Sequence, residues 1–276
     1  MNIPFVKAHG AKNDFLLTWW KDAPCDPAIA VGICNRYTGV GADGWMLVDP
    51  TPETATEGGL YDGTIRLYNS DGSDAEISGN GTRCAAALLI ERGYAKDEVR
   101  IRTGAGIKYL RVLERRGSSF LFEMNMGVPR VVALHETLEL STGPRDATIL
   151  DVGNPQCAFV VDDFDFDWRS AGAETESHPR FPKRTNVSFI RIAGKHSIDV
   201  RFFERGAGET MSSGTGSTGA VVTAIARGLV ASPVTVITPA GDLVLAWADP
   251  KEPAYLRGPA QIIAEGSYRH EIIAEA

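Results

Sequence analysis

The sequence predicts an α+β protein of two pseudo-symmetric domains, each a mostly antiparallel sheet wrapped around a central helix. Two observations lead to this prediction. The chain contains an internal repeat, and each copy holds many short runs of alternating apolar residues but only one long helix-like run. A repeat of this length indicates a duplicated domain rather than the short unit of a solenoid.

The repeat is centred on two Ser-Gly-x-Gly motifs, which begin at Ser78 and Ser213, 135 positions apart. The apolar runs that follow both motifs end in Arg-Gly at the same separation, at 92–93 and 227–228. Upstream, the strand-like stretches TIRLYN and DVRFFE lead into the two motifs. We therefore expect domains at 1–127 and 128–263, with a tail from about 264 to 276 that packs back on the first domain.

Composition excludes several classes of function. The chain of 276 residues has a formal net charge of −7 and no basic cluster, which argues against a nucleic-acid partner. It has no apolar stretch long enough for a membrane span and no secretory signal pattern. Four scattered cysteines and five scattered histidines match neither a disulfide framework nor a metal site. We expect a cytoplasmic protein that binds no metal.

The two motifs have the composition of an anion-binding helix start. Unpaired backbone N–H groups and the positive end of the helix dipole favour a carboxylate there, and glycine lets the main chain approach it closely. Serine is also a favoured N-cap, so Ser78 and Ser213 have a purely structural alternative. A mirrored pair of such starts facing one ligand cleft between the domains would suit a two-base racemase, which needs one proton-transfer group on each face of a carbon.

Several further stretches resemble one enzyme family in order and spacing. They are HGAKNDFLL, RYTGVGADG, RLYNSDGSDAEISGNGTRC, DVGNPQ, HPRFPKRTNVSF and ERGAGETMSSGTGS, which together extend over nearly the whole chain. The sequence resembles diaminopimelate epimerase, a cofactor-independent enzyme that interconverts LL- and meso-diaminopimelate for lysine and peptidoglycan synthesis. The resemblance implies the two-domain fold already expected, no cofactor, an amino-acid substrate and a homodimer.

The resemblance also implies a set of substrate-binding residues, most of which would hold the end of the substrate that does not react. Arginine suits a carboxylate, whereas amides and a carboxylate suit an ammonium group. The set is Asn13, Asn69, Gly79, Asn80, Asn154, Asn186, Glu204, Arg205, Gly214 and Thr215.

The reacting end departs from the family pattern. The family carries a catalytic cysteine at each helix start, where this chain has Ser78 and Ser213, and a histidine where this chain has Gln156. A serine hydroxyl has a far higher pKa than a thiol and needs a neighbouring base to act as a nucleophile or base. Asp71, Glu76 and Glu209 are candidate helpers from their place in the sequence, and Cys157 is a thiol next to Gln156.

The sequence leaves three functions open. The first is diaminopimelate epimerisation with serines as the two proton-transfer groups. The second is a racemase, epimerase or dehydratase of another amino acid on the same fold. The third is an amino-acid-binding homologue without turnover. The intact binding set for the far end of the substrate favours the first.

Overall fold

The computed structural model describes residues 1–50, 54–55, 59–75 and 77–270. The chain divides into two compact units, which we call unit 1 and unit 2. Unit 1 consists of Met1–Glu123 together with the chain from Gly258 onward, and unit 2 is Met124–Arg257. The repeat in the sequence predicts the first boundary at 127/128 and the return of the tail near 264, so both divisions fall a few residues earlier than expected.

The elements follow the predicted pattern of many strands and few helices. The strands before the first boundary are β1 (Asn2–Gly10), β2 (Asn13–Trp19), β3 (Gly44–Asp49), β4 (Thr54–Ala55), β5 (Gly59–Leu60), β6 (Gly63–Asn69), β7 (Asp74–Ala75), β8 (Glu98–Thr103) and β9 (Gly106–Arg116), and β10 (Ser119–Asn125) crosses it. The strands of unit 2 are β11 (Arg130–Leu140), β12 (Gly143–Asp151), β13 (Pro155–Val160), β14 (Asn186–Gly194), β15 (Ser197–Glu204), β16 (Gly208–Thr210), β17 (Val234–Ile237) and β18 (Leu243–Ala246), and β19 (Tyr255–Arg269) crosses the second boundary. The helices are α1 (Pro27–Cys34), α2 (Gly79–Glu91), α3 (Trp168–Glu176) and α4 (Gly214–Ala226), with a 3₁₀ turn at Trp20–Asp22.

The strand topology repeats from one unit to the other. In unit 1, β1 pairs antiparallel with β2, β2 parallel with β3, β3 antiparallel with β6, β6 parallel with β8, and β8 antiparallel with β9. In unit 2, the pairs β12–β13, β13–β14, β14–β15, β15–β17 and β17–β18 follow the same order of directions. The two copies of the sequence repeat thus fold with the same topology.

Each repeat buries one central helix. Every residue of α2 from Gly79 to Ile90 is buried, and α2 packs on β1, β2, β6 and β8. In unit 2, α4 packs in the same way on β12–β15, β17 and β18. The second glycine of each motif makes the close approach possible: a Cβ on Gly81 would lie 2.7 Å from Met46 Cε, and one on Gly216 would lie 2.8 Å from Phe202 Cδ1. Packing against the Phe202 ring requires a glycine at 216, whereas at Gly81 the nearest atom is the end of the flexible Met46 side chain.

The shorter helices α1 and α3 are not predicted by the sequence pattern. Both begin with an aspartate N-cap, since Asp26 accepts from Ala28 N and Asp167 accepts from Ser170 N. α1 belongs to the hydrophobic core around Trp45 in unit 1, and α3 belongs to the hydrophobic core around Phe189 in unit 2. Eight or nine residues are too few for a clear helical periodicity in the sequence.

Over residues 1–50, 54–55, 59–75 and 77–270, no helix is long and apolar enough to cross a membrane. The same residues include no group of three or more side chains placed to hold a metal ion.

Candidate active site

Ser78 caps the first residue of α2. Its backbone is extended, with φ −126° and ψ 122°, and its Oγ accepts a hydrogen bond from Gly81 N at 3.1 Å. The carbonyl of Ser78 accepts from Thr82 N and from Thr82 Oγ1. The first turn of α2 contains no acidic residue, so nothing in that turn offsets the positive end of the helix dipole.

Ser213 caps α4 with almost the same geometry but with one additional contact. Its φ and ψ are −138° and 126°, and its Oγ accepts from Gly216 N at 3.0 Å. The same hydroxyl donates to Glu204 Oε1 at 2.5 Å. A serine that accepts from a helix N–H and donates to a carboxylate has both the stabilisation and the proton acceptor that an alkoxide-like base needs.

Glu204 reaches Ser213 from the last residue of β15. This strand turns back into β16, and Glu204 pairs with Gly208 across the hairpin. Burial raises the pKa of the Glu204 carboxyl, although the hydrogen bond from Ser213 acts in the opposite direction. A carboxylate with a raised pKa is a stronger base than one on the surface, which brings it closer to the working range of a general base.

None of the three helper carboxylates expected from sequence spacing is seen to take this role. Glu209 lies one pairing position from Glu204 on the hairpin, opposite Phe203, and forms a bidentate pair with Arg169. Asp71 accepts from both Ser73 N and Ser73 Oγ, which lowers its pKa and fixes it within its own turn. Glu76 lies outside the described residues. The carboxylate that contacts Ser213 is Glu204, which the family resemblance implies as a substrate-binding residue.

The two caps differ in their chemical surroundings. At the repeat position that corresponds to Glu204, unit 1 has Asn69, and its Nδ2 donates to Ser73 Oγ at 2.9 Å. Among the described residues of unit 1, no carboxylate forms a hydrogen bond with Ser78 Oγ. Among the described residues, the cap of α4 is therefore the one whose serine contacts a carboxylate.

Amide side chains line the start of each central helix. In unit 1, Asn80 Nδ2 donates to Asn13 Oδ1 at 3.2 Å. In unit 2, Asn154 Nδ2 donates to Thr215 Oγ1 at 3.4 Å. Asn80 and Thr215 are each the second residue of their helix. Each helix start is therefore hydrogen-bonded to one asparagine from elsewhere in its unit.

Gln156 and Asn186 are buried next to this site. Gln156 Nε2 donates to Asn154 Oδ1 at 2.7 Å, while Gln156 Oε1 is buried without a hydrogen-bond partner. Asn186 donates to Pro155 O at 3.0 Å and accepts from Arg205 N at 3.1 Å. Asn186 thus ties the Asn154 turn to the backbone of Arg205, while Arg205 Nη1 donates to Lys183 O at 3.4 Å.

Cys157 lies on the opposite side of β13 from Gln156, because successive side chains on a strand alternate. It packs in the hydrophobic core of unit 2 with Leu138 and Phe159. Burial raises the pKa of its thiol, which keeps the thiol protonated and unreactive near neutral pH. Cys157 is a core residue in this structure.

Comparison with known proteins identifies the family. The family model for diaminopimelate epimerase matches residues 5–132 and 148–263, which include both helix starts and the Glu204-Arg205 pair. The chain belongs to the diaminopimelate epimerase family. It is 40% identical to the diaminopimelate epimerase of Pelotomaculum thermopropionicum, over 96% of this chain and 98% of the relative. It is 37% identical to that of Azoarcus sp. strain BH72, with the same coverage of 96% and 98%.

Solved structures support the fold of this diaminopimelate epimerase family member. A hydroxyproline epimerase from Agrobacterium vitis superposes with a TM-score of 0.70 at 14% identity, over 96% of this chain and 92% of that one. A methylitaconate-delta-isomerase superposes with a TM-score of 0.66 at 16% identity, over 97% and 95%. These likenesses establish the α+β two-domain fold.

Proposed function

We propose that this protein interconverts LL- and meso-diaminopimelate with two serine hydroxyls, of which Ser213 removes the α-proton and Ser78 delivers another proton to the opposite face. The hydrogen bond from Ser213 Oγ to Glu204 Oε1 carries the proposal, since it gives a serine the proton acceptor that a thiol does not need. Membership of the diaminopimelate epimerase family supports the choice of substrate.

In the proposed reaction, the substrate α-proton passes to Ser213 Oγ as the hydroxyl proton of Ser213 passes to Glu204. No serine alkoxide has to accumulate at this position, which avoids the high pKa of the free hydroxyl. The electron pair left on the α-carbon delocalises into the α-carboxylate, and helix N–H groups stabilise that charge.

Ser78 acts as the second group in this proposal. Its hydroxyl donates a proton to the opposite face of the α-carbon as a solvent water donates one to Ser78 Oγ, so no serine alkoxide has to accumulate there either. The proposal requires Ser78 and Ser213 to face the same α-carbon from opposite sides. The hydroxide left in the solvent takes the proton held by Glu204, which returns the site to its starting protonation state.

We assign the binding of the distal amino-acid end to Arg205 and the asparagine side chains. Asn186 supports this assignment indirectly because it fixes the backbone N–H of Arg205. A guanidinium binds a carboxylate with two parallel hydrogen bonds, so Arg205 is assigned to the distal carboxylate. The backbone N–H groups of Gly79, Asn80, Gly214 and Thr215 are assigned to the reacting carboxylate at the two helix starts.

The family resemblance also leads us to propose a homodimer that works in the cytoplasm. Sedimentation equilibrium of the purified protein tests the dimer, and a monomer at micromolar concentration contradicts it.

The function is tested by incubating the purified protein with LL-diaminopimelate and separating the isomers by chiral chromatography. We expect meso-diaminopimelate to form, and we expect no inversion of lysine, which lacks the distal carboxylate. Binding without conversion, measured by calorimetry in parallel, overturns the epimerase proposal. Faster inversion of another amino acid overturns the substrate assignment.

A further inference from the structure

Arg83 is a buried cation at the centre of unit 1. It lies in α2 and has no exposed surface, and its Nε donates to Pro259 O at 3.1 Å. Gly258 leaves room for it, since a Cβ there would lie 2.8 Å from Arg83 Cζ. Burial lowers the pKa of Arg83 to about 10, so the guanidinium is still charged at neutral pH.

Arg83 begins a chain of hydrogen bonds that we call the amide relay, consisting of Arg83, Asn80, Asn13 and Asp43. Arg83 Nη2 donates to Asn80 Oδ1. Asn80 Nδ2 donates to Asn13 Oδ1 at 3.2 Å, and Asn13 Nδ2 donates to Asp43 Oδ2 at 2.7 Å. Each amide uses its oxygen toward Arg83 and its nitrogen toward Asp43.

The chemistry of the two ends determines this direction. A guanidinium has only donors and an ionised carboxylate has only acceptors, whereas an amide offers either one when it is turned by 180°. Arg83 requires the oxygen of Asn80, and Asp43 requires the nitrogen of Asn13. One orientation of both amides satisfies both ends, and any single reversal places two donors or two acceptors against each other.

The Asp43 end is itself anchored. Arg36 Nη2 donates to Asp43 Oδ1 at 2.6 Å, and Asp14 N donates to Asp43 Oδ2 at 3.1 Å. Within the relay, Asn80 is only 2% exposed, whereas Asn13 is half-buried and retains accessible surface. Asn13 is therefore the amide of the relay that can contact a ligand, and the ligand meets Asn13 in the orientation that the relay sets.

We propose that Arg83 is a positioning residue, which holds the Asn13 amide in one orientation through Asn80 and so decides which of its hydrogen-bonding positions meets the substrate. The inference rests on the proposed function, in which Asn13 binds diaminopimelate. It adds a residue that the substrate does not touch, and it explains why a buried charge is retained in the central helix at the cost of desolvation.

Reversal of the relay tests this role. In Asn80→Asp, the introduced carboxylate accepts from Arg83 and also requires a donor from Asn13, so the Asn13 amide turns and its oxygen meets the Asp43 carboxylate. Adding Asp43→Asn supplies a donor at that end and makes all contacts compatible again. At pH 8, Arg83 keeps the introduced carboxylate ionised. In this arrangement the backbone N–H of Asp14 loses its acceptor, which lowers the stability of the double variant. The test is therefore the effect of Asp43→Asn on the Tm of Asn80→Asp, compared with its effect on the Tm of the wild type.

We expect Asp43→Asn to lower the Tm of the wild type and to raise the Tm of Asn80→Asp, with a difference of at least about 2 °C between the two backgrounds. Asp74→Asn is the matched control, since it removes a surface carboxylate of unit 1 that pairs with Arg66 instead. Its effect should be the same in both backgrounds. Additive Tm changes for Asp43→Asn contradict the relay itself.

Affinity for diaminopimelate separates positioning from simple folding. The double variant Asn80→Asp, Asp43→Asn should fold but bind at least about tenfold more weakly by calorimetry, because its Asn13 amide is inverted. Arg83→Lys, which still has only donors, should bind more tightly than Arg83→Met. A double variant that binds like the wild type overturns the proposal. If the wild type binds no diaminopimelate, the proposed function is contradicted, and so is the role of the relay in substrate binding. The Tm comparison still tests whether the relay exists.

Discussion

Glu204→Gln is the substitution that separates proton transfer from every other property of the site. Glutamine has nearly the same shape and its Oε1 still accepts from Ser213 Oγ, so the N-cap on α4 and its contact with Gly216 N are retained. What is lost is a group that can take a proton. General-base catalysis contributes about 10² to 10⁴ in rate, which corresponds to about 3 to 5 kcal/mol of barrier.

We therefore expect Glu204→Gln to lower kcat for LL-to-meso conversion by about 10² to 10⁴ with a small change in KM. Glu209→Gln is the matched control, because Glu209 lies on the same hairpin but pairs with Arg169. Conversion is followed by chiral chromatography at pH 8, and folding is checked by circular dichroism. Wild-type turnover in Glu204→Gln would refute the argument that Ser213 needs this carboxylate.

The same variant has a predicted pH signature in stability. Burial raises the folded-state pKa of Glu204, so the native protein holds this proton to higher pH than the unfolded chain does. The stability that this group contributes is present below the unfolded pKa of about 4.3 and is lost as pH rises through the folded pKa. The Tm of Glu204→Gln relative to wild type should rise between pH 4 and pH 8, and a constant difference would show that the carboxyl is not perturbed.

Three further outcomes follow from the site. The double variant Ser78→Cys, Ser213→Cys should invert diaminopimelate faster than the parent, because thiol pKa values lie nearer to neutral; a folded, ligand-binding double variant that is no faster means that the serines are not stand-ins for thiols. Arg205→Ala should weaken diaminopimelate binding by about 1.5 to 3 kcal/mol in calorimetry, and unchanged affinity removes Arg205 from the distal carboxylate. Gly216→Ala should lower Tm by several degrees, because its Cβ would lie 2.8 Å from Phe202, and an unchanged Tm would mean that the helix shifts freely.

The repeat made most of the fold predictable. A 135-residue register with strands around one apolar helix led to two similar α+β domains, and the strand directions repeat in the same order in both units. The short helices α1 and α3 were not predictable from periodicity, since each has only two or three turns outside the repeat landmarks. Local capping by Asp26 and Asp167 is the signal that could have located them.

Residue types in the sequence gave the candidate site, whereas its side-chain contacts come from the structure. The sequence placed Ser213 at a helix start and gave Glu204 as a substrate-binding residue, while Glu209 was one of three candidate helpers from its place in the sequence. Hairpin geometry decides the matter: the β15–β16 turn leaves Glu204 beside Ser213, while Glu209 pairs with Arg169. Motif spacing does not contain this information, because it depends on which side of a strand each side chain occupies.

The orientation of the amides was likewise beyond the sequence. The motifs gave Asn13 and Asn80 as separate binding residues, whereas the structure joins them by a hydrogen bond between their side chains. That contact links β2 to the start of α2, and their positions are 67 residues apart. Only the folded chain reveals that Asp43 and Arg83 fix its direction from the two ends.

In the proposed function, Ser213 removes the α-proton of diaminopimelate, with Glu204 as its proton acceptor. The most direct measurement is deuterium incorporation at the α-carbon in D₂O, followed by NMR for the LL and meso isomers with wild type and Ser213→Ala. Among the described contacts of the two caps, only Ser213 has a carboxylate partner. We therefore expect the α-proton of one configuration to exchange with solvent deuterium faster than that centre inverts. This exchange should be lost in Ser213→Ala. Equal exchange by wild type and Ser213→Ala, or no exchange by a wild type that binds diaminopimelate, would contradict the claim.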